Sequence, residues 1–434
     1  MNVRYFIIAF LSVATFFSCN KSDFGDKEAD DVSHCITLQE ALDHLDAFLG
    51  AMDNNTKTDA SRKSFSLDNI ETVSSSLIGT STKSGFDGCE NNQNLMYLVN
   101  FDDNLGTAVL AADDRLGDVV LCVTESGSLH KESFDDALEL INTGTTKAND
   151  NLERISGSSS EVVPLLLTSA ALNAVNDYGE IVENVSQPST KSLSSSVKYG
   201  PLVQTKWDQA YVGVNPDTLS VFNRFTPNHY PAGCVVIAVA QIMLSTLHPF
   251  SLTADSYYCN SSDMLTVAHY TSPSYPGTTS AQIQVGKFVH HLGASSLLCG
   301  VHYAADGTSG DADGAKRTLE AFLYNDVVKR TGFGSGNQTI ATNNIRQGRP
   351  VYLSGKPEGV IFDGHAWVLD GEWGNYYHVN WGMRGAHDGY FTKNVFHMTN
   401  RPEYDSVIDA NTYDRYSGTP HYYVWWFRMV TYTL

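Results

Sequence analysis

The chain is 434 residues long, with 42% hydrophobic and 18% charged residues and a formal net charge of −20. This length suits two folded domains, and an acid excess of this size argues against nucleic acid and anionic lipid headgroups as partners. Seven cysteines are too few for a dense disulfide framework in a chain of this size.

At the N-terminus, Arg4 precedes an apolar stretch from Tyr5 to Phe17 that is too short to span a bilayer and ends in Phe16-Phe17-Ser18-Cys19. The pattern predicts a lipoprotein-type signal over residues 1–19, with Cys19 acylated after cleavage; a simple secretory signal cut near Ser18 is the alternative. Residues 20–35 are acidic and lack apolar periodicity, so they read as a flexible tether. A helix is predicted from Thr37, a capping residue with Glu40 three positions on, and Leu38, Ala41, Leu42, Leu45, Phe48 and Leu49 form its apolar stripe. Three strand-like runs follow, Leu95 to Phe101, Thr107 to Ala112 and Val119 to Val123. Residues 36–185 are therefore expected to form a separate α+β domain. The charge is concentrated on this side: residues 20–198 hold 12 Lys and Arg against 30 Asp and Glu, whereas residues 199–434 hold 15 against 18. Between the halves, Gln187 to Lys198 is rich in Ser with a Pro and two lysines, Lys191 and Lys198. Residues 186–199 are thus read as a linker where the chain is easily cut.

In the second half, Pro231-Ala232-Gly233-Cys234 opens an almost unbroken apolar run from Val235 to Leu244. A Pro/Gly break before such a run predicts a buried helix starting at Cys234. A thiol at a helix N-terminus meets unpaired backbone N–H groups and the positive end of the helix dipole, which favour the nucleophilic thiolate. The bland alternative is a small inert core cysteine. Further on, His290-His291 sits in a predicted helix with one ring toward the core and the other toward solvent, and is not expected to bind metal. Ser309-Gly310-Asp311-Ala312-Asp313-Gly314, with Glu320 after it, approaches the spacing of a calcium loop, but a helix is predicted to start at Gly314, within the loop. Gly332 to Gly336 lacks the lysine of a phosphate loop and reads as a plain turn.

The segment from Phe362 to Gly382 lies 131 residues after Cys234 when counted at His365. Two apolar-aromatic runs flank Gly371 to Asn375, which predicts a β-hairpin. Pairing Asp370 with Tyr376 puts Ala366 opposite Asn380 and brings His365 beside Asn380 and Trp381. Together with Cys234 these residues suit a cysteine nucleophile: His365 takes the thiol proton, Asn380 orients the imidazole through its carbonyl oxygen, and Trp381 shields that hydrogen bond from water.

With these residues in place, the chain resembles the streptopain family of bacterial cysteine peptidases. The matching segments are Lys206-Trp207-Asp208-Gln209, Ala232-Gly233-Cys234, Ala240-Gln241-Ile242-Met243, Gly364-His365-Ala366-Trp367-Val368-Leu369-Asp370-Gly371, Tyr377-His378-Val379-Asn380-Trp381-Gly382 and Asp388-Gly389-Tyr390-Phe391. The resemblance implies an α+β fold, a two-lobed papain-like catalytic domain over 200–434 preceded by an inhibitory pro-domain. It implies Cys234 as nucleophile, His365 as base and Gln209 as a donor to the oxyanion hole, with Asn380 and Trp381 supporting the histidine. A neutral amide suits Gln209's task, because it stabilises an oxyanion without pairing with the thiolate. One departure stands out: the family usually continues Asn-Trp-Gly-Trp-Gly-Gly, and this chain has Met383 and Arg384 within that run. Arg384 takes a positive φ less cheaply than glycine, so a different loop conformation is expected there.

The expected function is a zymogen of a secreted or surface-tethered cysteine endopeptidase that needs no cofactor or metal. Its partners are protein or peptide substrates, its own pro-domain as inhibitor, and the membrane through lipid on Cys19, with a monomer expected in the bacterial cell envelope. Activation is expected by a cut after Lys191 or Lys198. The other reading is a catalytically silent surface-binding lipoprotein with a peptidase-like fold. Five cysteines remain beside Cys19 and Cys234; Cys122 and Cys299 lie in apolar runs that suit buried free thiols, and no essential disulfide is expected.

Overall fold

The computed structural model describes residues 35–55, 63–74, 94–112, 118–131, 197–209, 220–267, 279–304, 307–356, 364–385, 387–393, 396–398, 421–422 and 425–434. The signal segment with Cys19, nearly all of the acidic tether, Cys89, Lys191 and residues 186–196 of the expected linker lie outside them.

Helix α1 (Leu38–Asn55) starts at the predicted cap, where the Thr37 N–H donates to Glu40 Oε2 at 2.8 Å and the Glu40 N–H donates to Thr37 Oγ1 at 3.3 Å. Its stripe of Ala41, Leu45, Phe48 and Leu49 is buried. Strands β1 (Ile70–Ser74), β2 (Asn94–Asn100), β3 (Thr107–Ala111) and β4 (Val120–Thr124) then form an antiparallel meander.

The second half supplies a helical layer and more strands. Helix α2 (Cys234–Ser245) precedes a small hairpin of β5 (Ser251–Ala254) and β6 (Tyr257–Asn260), then α3 (Ser261–Leu265), α4 (Ser280–Ala294) and α5 (Ala312–Ala321). Strand β7 (Asn325–Thr331), helix α6 (Ser335–Arg346) and strands β8 (Val351–Lys356), β9 (His365–Trp373), β10 (Tyr376–Asn380) and β11 (Gly389–Thr392) follow. The short pair β12 (His397–Met398) and β13 (His421–Tyr422) and the long β14 (Trp425–Thr433) complete the described elements. The strand order is β1-β2-β3-β4-β11-β10-β9-β8-β14-β7. The N-terminal meander is therefore not a sheet of its own: β4 pairs antiparallel with β11, Thr124 opposite Gly389 and Cys122 opposite Phe391. The expected N-terminal α+β region is thus joined to the second half by the backbone hydrogen bonds of one sheet.

Every residue of β9 is buried, because both of its faces are covered. Ala366 and Val368 pack with α2, while Trp367 and Leu369 pack with Ala341 and Ile345 of α6 on the other face. The same alternation separates Met429 from Val430 in β14. On the outer end of this sheet, the Phe48 ring of α1 lies 5.0 Å from Trp373 and 5.1 Å from Tyr376. Burying a ring of this size contributes about 1.5–3 kcal/mol, so α1 fastens the N-terminal region to the β9–β10 hairpin.

Several expectations need correction. The hairpin turn is two residues, Gly374 with φ 59° and Asn375, so Tyr376 pairs with Trp373. A register break between His378 and Val379 sets Asn380 opposite Val368 instead of Ala366; a tight Gly-Asn turn lengthens β9 at the loop's expense. Cys35 is disulfide-bonded, to a partner outside the described residues, because proximity in space and not spacing in sequence decides pairing. Cys122, Cys259 and Cys299 are buried free thiols. His290 and His291 are both half-buried and both face Asp255, at 2.5 and 3.6 Å. The carboxylates of the calcium-like loop are engaged otherwise: Asp311 caps α5 through the Gly314 N–H at 2.7 Å, and Asp313 pairs with Lys329 at 2.6 Å. Gly334 is the cap of α6, so Gly332 to Gly336 is a turn only in its first half.

Candidate active site

Cys234 is the first residue of α2, and the residue before it, Gly233, has φ 92°. A Cβ at Gly233 would come within 2.9 Å of the Thr308 methyl, so only glycine lets this turn pack against Thr308. The following ten residues, Val235 to Leu244, are all buried, which fixes the helix and leaves the partly exposed Cys234 at its tip.

His365 opens β9 and is 5% exposed. Its Nε2 lies 2.8 Å from the backbone oxygen of Trp381. A carbonyl oxygen only accepts, so Nε2 carries a proton and Nδ1 is the nitrogen that can take one from a thiol. Two indoles pack beside the imidazole, Trp367 at 6.2 Å and 19° and Trp381 at 6.2 Å and 27° between ring planes. The ring is thus held by a backbone carbonyl and aromatic packing. The sequence had given this task to the Asn380 side chain. Asn380 Oδ1 instead accepts from Gln241 Nε2 at 3.0 Å and from the Gly382 N–H at 3.1 Å, and its Nδ2 donates to the Thr205 oxygen at 2.9 Å. With its amide committed to these three groups, Asn380 fixes the start of the loop that carries the Trp381 carbonyl.

Gln209 is buried, and its backbone oxygen accepts from the Ala232 N–H at 2.7 Å, two residues before Cys234. Its side-chain Nε2 lies 3.8 Å from the sulfur of Met383. The departure at Met383-Arg384 therefore borders this amide. Arg384 keeps a positive φ of 62°, so the glycine-like loop conformation persists, contrary to expectation. Its guanidinium pairs with Asp208 and its N–H donates to the Trp207 oxygen at 3.0 Å; these bonds offset the backbone strain of about 1–2 kcal/mol for a non-glycine residue in this region. Gln241, quoted in the sequence only as part of a matching segment, is the hub: Oε1 accepts from Thr205 Oγ1 at 3.0 Å and from the Trp207 N–H at 3.2 Å while Nε2 reaches Asn380.

Behind the loop lies a partly buried charge cluster that sequence reasoning missed. His378 Nδ1 is 2.6 Å from Asp370 and Nε2 is 3.1 Å from Glu125. Lys206 Nζ donates to Glu125 at 2.7 Å and to Asp388 at 3.4 Å, and Asp388 Oδ1 accepts from the Trp381 N–H at 2.8 Å. Burial alone would lower His378, but Asp370 and Glu125 raise it to about 10, so it is a cation at neutral pH. Burial pushes Asp388 up to about 6 against the pull of Lys206. Burial would lower Lys206 as well, yet Asp388 and Glu125 hold it above the ordinary lysine range. Glu125 sits well below the usual carboxylate range, since His378 and then Lys206 outweigh its desolvation.

Residues 216–391 match the Peptidase C10 family. Streptopain of Streptococcus pyogenes serotype M1 is 28% identical over 254 residues, covering 49% of this chain and 61% of streptopain. The thiol protease/hemagglutinin PrtT of Porphyromonas gingivalis is 24% identical over 370 residues, covering 78% of this chain and 38% of that protein. Among solved structures, a Prevotella intermedia prointerpain A fragment overlays with a TM-score of 0.43 at 19% identity, covering 77% of this chain and 94% of the fragment. The chain spans about three-fifths of the length of the streptopain relatives. The likeness to the Peptidase C10 family is thus carried by residues 216–391.

Proposed function

We propose that the chain is the precursor of a cysteine endopeptidase in which Cys234 attacks the scissile carbonyl and His365 moves the proton. Two observations carry this reading: a partly exposed thiol at the tip of a buried helix, and, on strand β9 packed against that helix, an imidazole whose Nε2 lies 2.8 Å from the Trp381 oxygen. In the forward step the thiol proton passes to His365 Nδ1 as the C–S bond forms, and the leaving amine takes it back when the acyl-enzyme forms. The Cys234 N–H and the Gln209 amide are the donors for the oxyanion; losing one such donor costs about 2.7–4 kcal/mol of barrier. Trp381 covers the imidazole, and Asn380 supports it through the loop.

The same reading assigns residues 1–19 to a lipoprotein signal, Cys19 to acylation, 36–185 to a pro-domain, 186–199 to the activating cut and 200–434 to the catalytic domain, with the protein exported to the cell envelope. No helix among the described residues is long and apolar enough to cross a membrane. The ammonium of Lys198 lies 5.0 Å from the Tyr390 ring centre and Tyr199 is bonded to Glu372 in both directions at 2.8 Å, so a cut after Lys198 would fall between two anchored residues. The test is thiol labelling with a peptidyl epoxide at about pH 5–6, where an ordinary thiol is almost wholly protonated. Processed wild-type protein should label at Cys234 faster than free cysteine, and Cys234→Ala should abolish both label and hydrolysis. Labelling no faster than free cysteine would favour the silent binding lipoprotein.

A further inference from the structure

We infer that His378 and Lys206 form a carboxylate-recognition site at the edge of β11, and that Glu125 of the N-terminal region is its occupant. The inference rests on the reading of that region as a pro-domain and names the side chain by which it is held. The C-terminal half supplies two cations and two anions of its own: His378 faces Asp370 at 2.6 Å and Lys206 faces Asp388 at 3.4 Å. Charge balance there does not call for Glu125, so its carboxylate is a third anion bridging both cations, 3.1 Å from His378 Nε2 and 2.7 Å from Lys206 Nζ. Asp370 fixes the orientation of the imidazole by engaging Nδ1, which leaves Nε2–H aimed at the position of Glu125. A donor held in this way loses little freedom on binding its ligand.

The backbone around the site has the complementary shape. Thr124 is the last residue of β4 paired to β11, opposite Gly389, and the Glu125 N–H donates to the Asp388 oxygen at 2.7 Å. A Cβ at Gly389 would sit 2.3 Å from the Val123 oxygen, so the absence of a side chain there is what admits the incoming strand. Ser126 then bonds the Gly385 oxygen at 3.2 Å. The site thus takes an extended strand by edge pairing, with specificity from one carboxylate placed one residue beyond the paired register. Lys206 is shared between Glu125 and Asp388, and Asp388 holds the Trp381 N–H whose residue's carbonyl holds His365. The occupant is therefore two ion contacts from the loop that positions the base.

The experiment uses the full chain carrying Cys234→Ala, so that no self-cleavage enters and the result does not depend on the peptidase reading. Hydrogen exchange is followed for the peptides containing β4 and β11, with α2 as the internal control. Glu125→Gln should lower protection of β4 and β11 by about 10-fold, because it strands the buried His378 cation without its second carboxylate, while α2 stays protected. Glu125→Asp, which keeps the charge with a shorter reach, should give a smaller loss and covers the case in which the glutamine variant folds poorly. Lys206→Met should also lower protection, and the double variant should lose less than the product of the two single losses, because both remove the Glu125–Lys206 contact. Unchanged protection in Glu125→Gln, or losses that multiply in the double variant, would overturn the assignment.

Discussion

Replacing Gln241 with leucine tests the hub of the site. The side chain is fully buried in α2 and satisfies the Trp207 N–H, the Thr205 hydroxyl and one lone pair of Asn380 Oδ1. Leucine fills nearly the same volume, so the cost is electrostatic. The Thr205 hydroxyl can rotate to a new acceptor and Asn380 Oδ1 retains the Gly382 N–H; the stranded Trp207 N–H bears most of the loss. At about 1–3 kcal/mol for a buried unsatisfied group, with a smaller share from the other two, the sum is about 2–4 kcal/mol. For a folding unit of roughly 150–250 residues this lowers Tm by about 5–12 °C, read by calorimetry on the Cys234→Ala chain. Gln241→Glu should be worse than leucine, since a carboxylate oxygen would face Asn380 Oδ1 in a fully buried site. A Tm drop under about 2 °C for leucine, or a milder effect for glutamate, would show that the amide does not join these segments.

Asn380→Ala should retain measurable hydrolysis while Cys234→Ala and His365→Ala fall below about 1% of wild type, because the imidazole is held by a backbone carbonyl that alanine leaves in place; equal loss in all three, measured as kcat/KM, would refute that. Arg384→Ala should lower stability by about 1–2 kcal/mol in thermal unfolding, whereas Arg384→Gly should lose less, since glycine recovers the cost of the 62° φ. Burial lowers His387 to about 4, and its ring packs against Gly127 of the N-terminal region. A depressed histidine binds fewer protons folded than unfolded, so its contribution is present above about pH 6.5 and is lost as pH falls toward 4. His387→Gln should flatten the acid limb of the stability–pH curve in that window.

Much of this architecture could be read from local patterns, because local patterns cause it. The Thr37 cap, the Cys234 helix and the strands of the N-terminal meander follow from capping chemistry and apolar period. The β9–β10 hairpin was foreseen with its turn too wide, since Gly371 to Asn375 contains several turn residues and only the packing of Trp373 against Phe48 and Tyr390 selects Gly374-Asn375. The proposed nucleophile and base stand out by residue type, whereas the means of holding the imidazole does not: a backbone carbonyl has no letter in the sequence. Glu125 and His378 lie 253 residues apart, and one glutamate in an acid-rich half carries no local mark. Arg384 looked incompatible with its loop because its partner, Asp208, is 176 residues away.

The junction between β4 and β11 also orders the assembly in time. The four N-terminal strands pair in chain order with one another, so the meander can form from local contacts, which is the fast route in folding. The partner edge, Gly389–Thr392, is 265 residues further along than Thr124, and closing such a loop costs about 5 kcal/mol of chain entropy. Once β4 exists as a finished edge, each residue of β11 added to it gains two-sided packing that β11 could not find alone. Closing β11 onto β4 is therefore the non-local step of the central sheet, and the N-terminal meander offers it a ready edge.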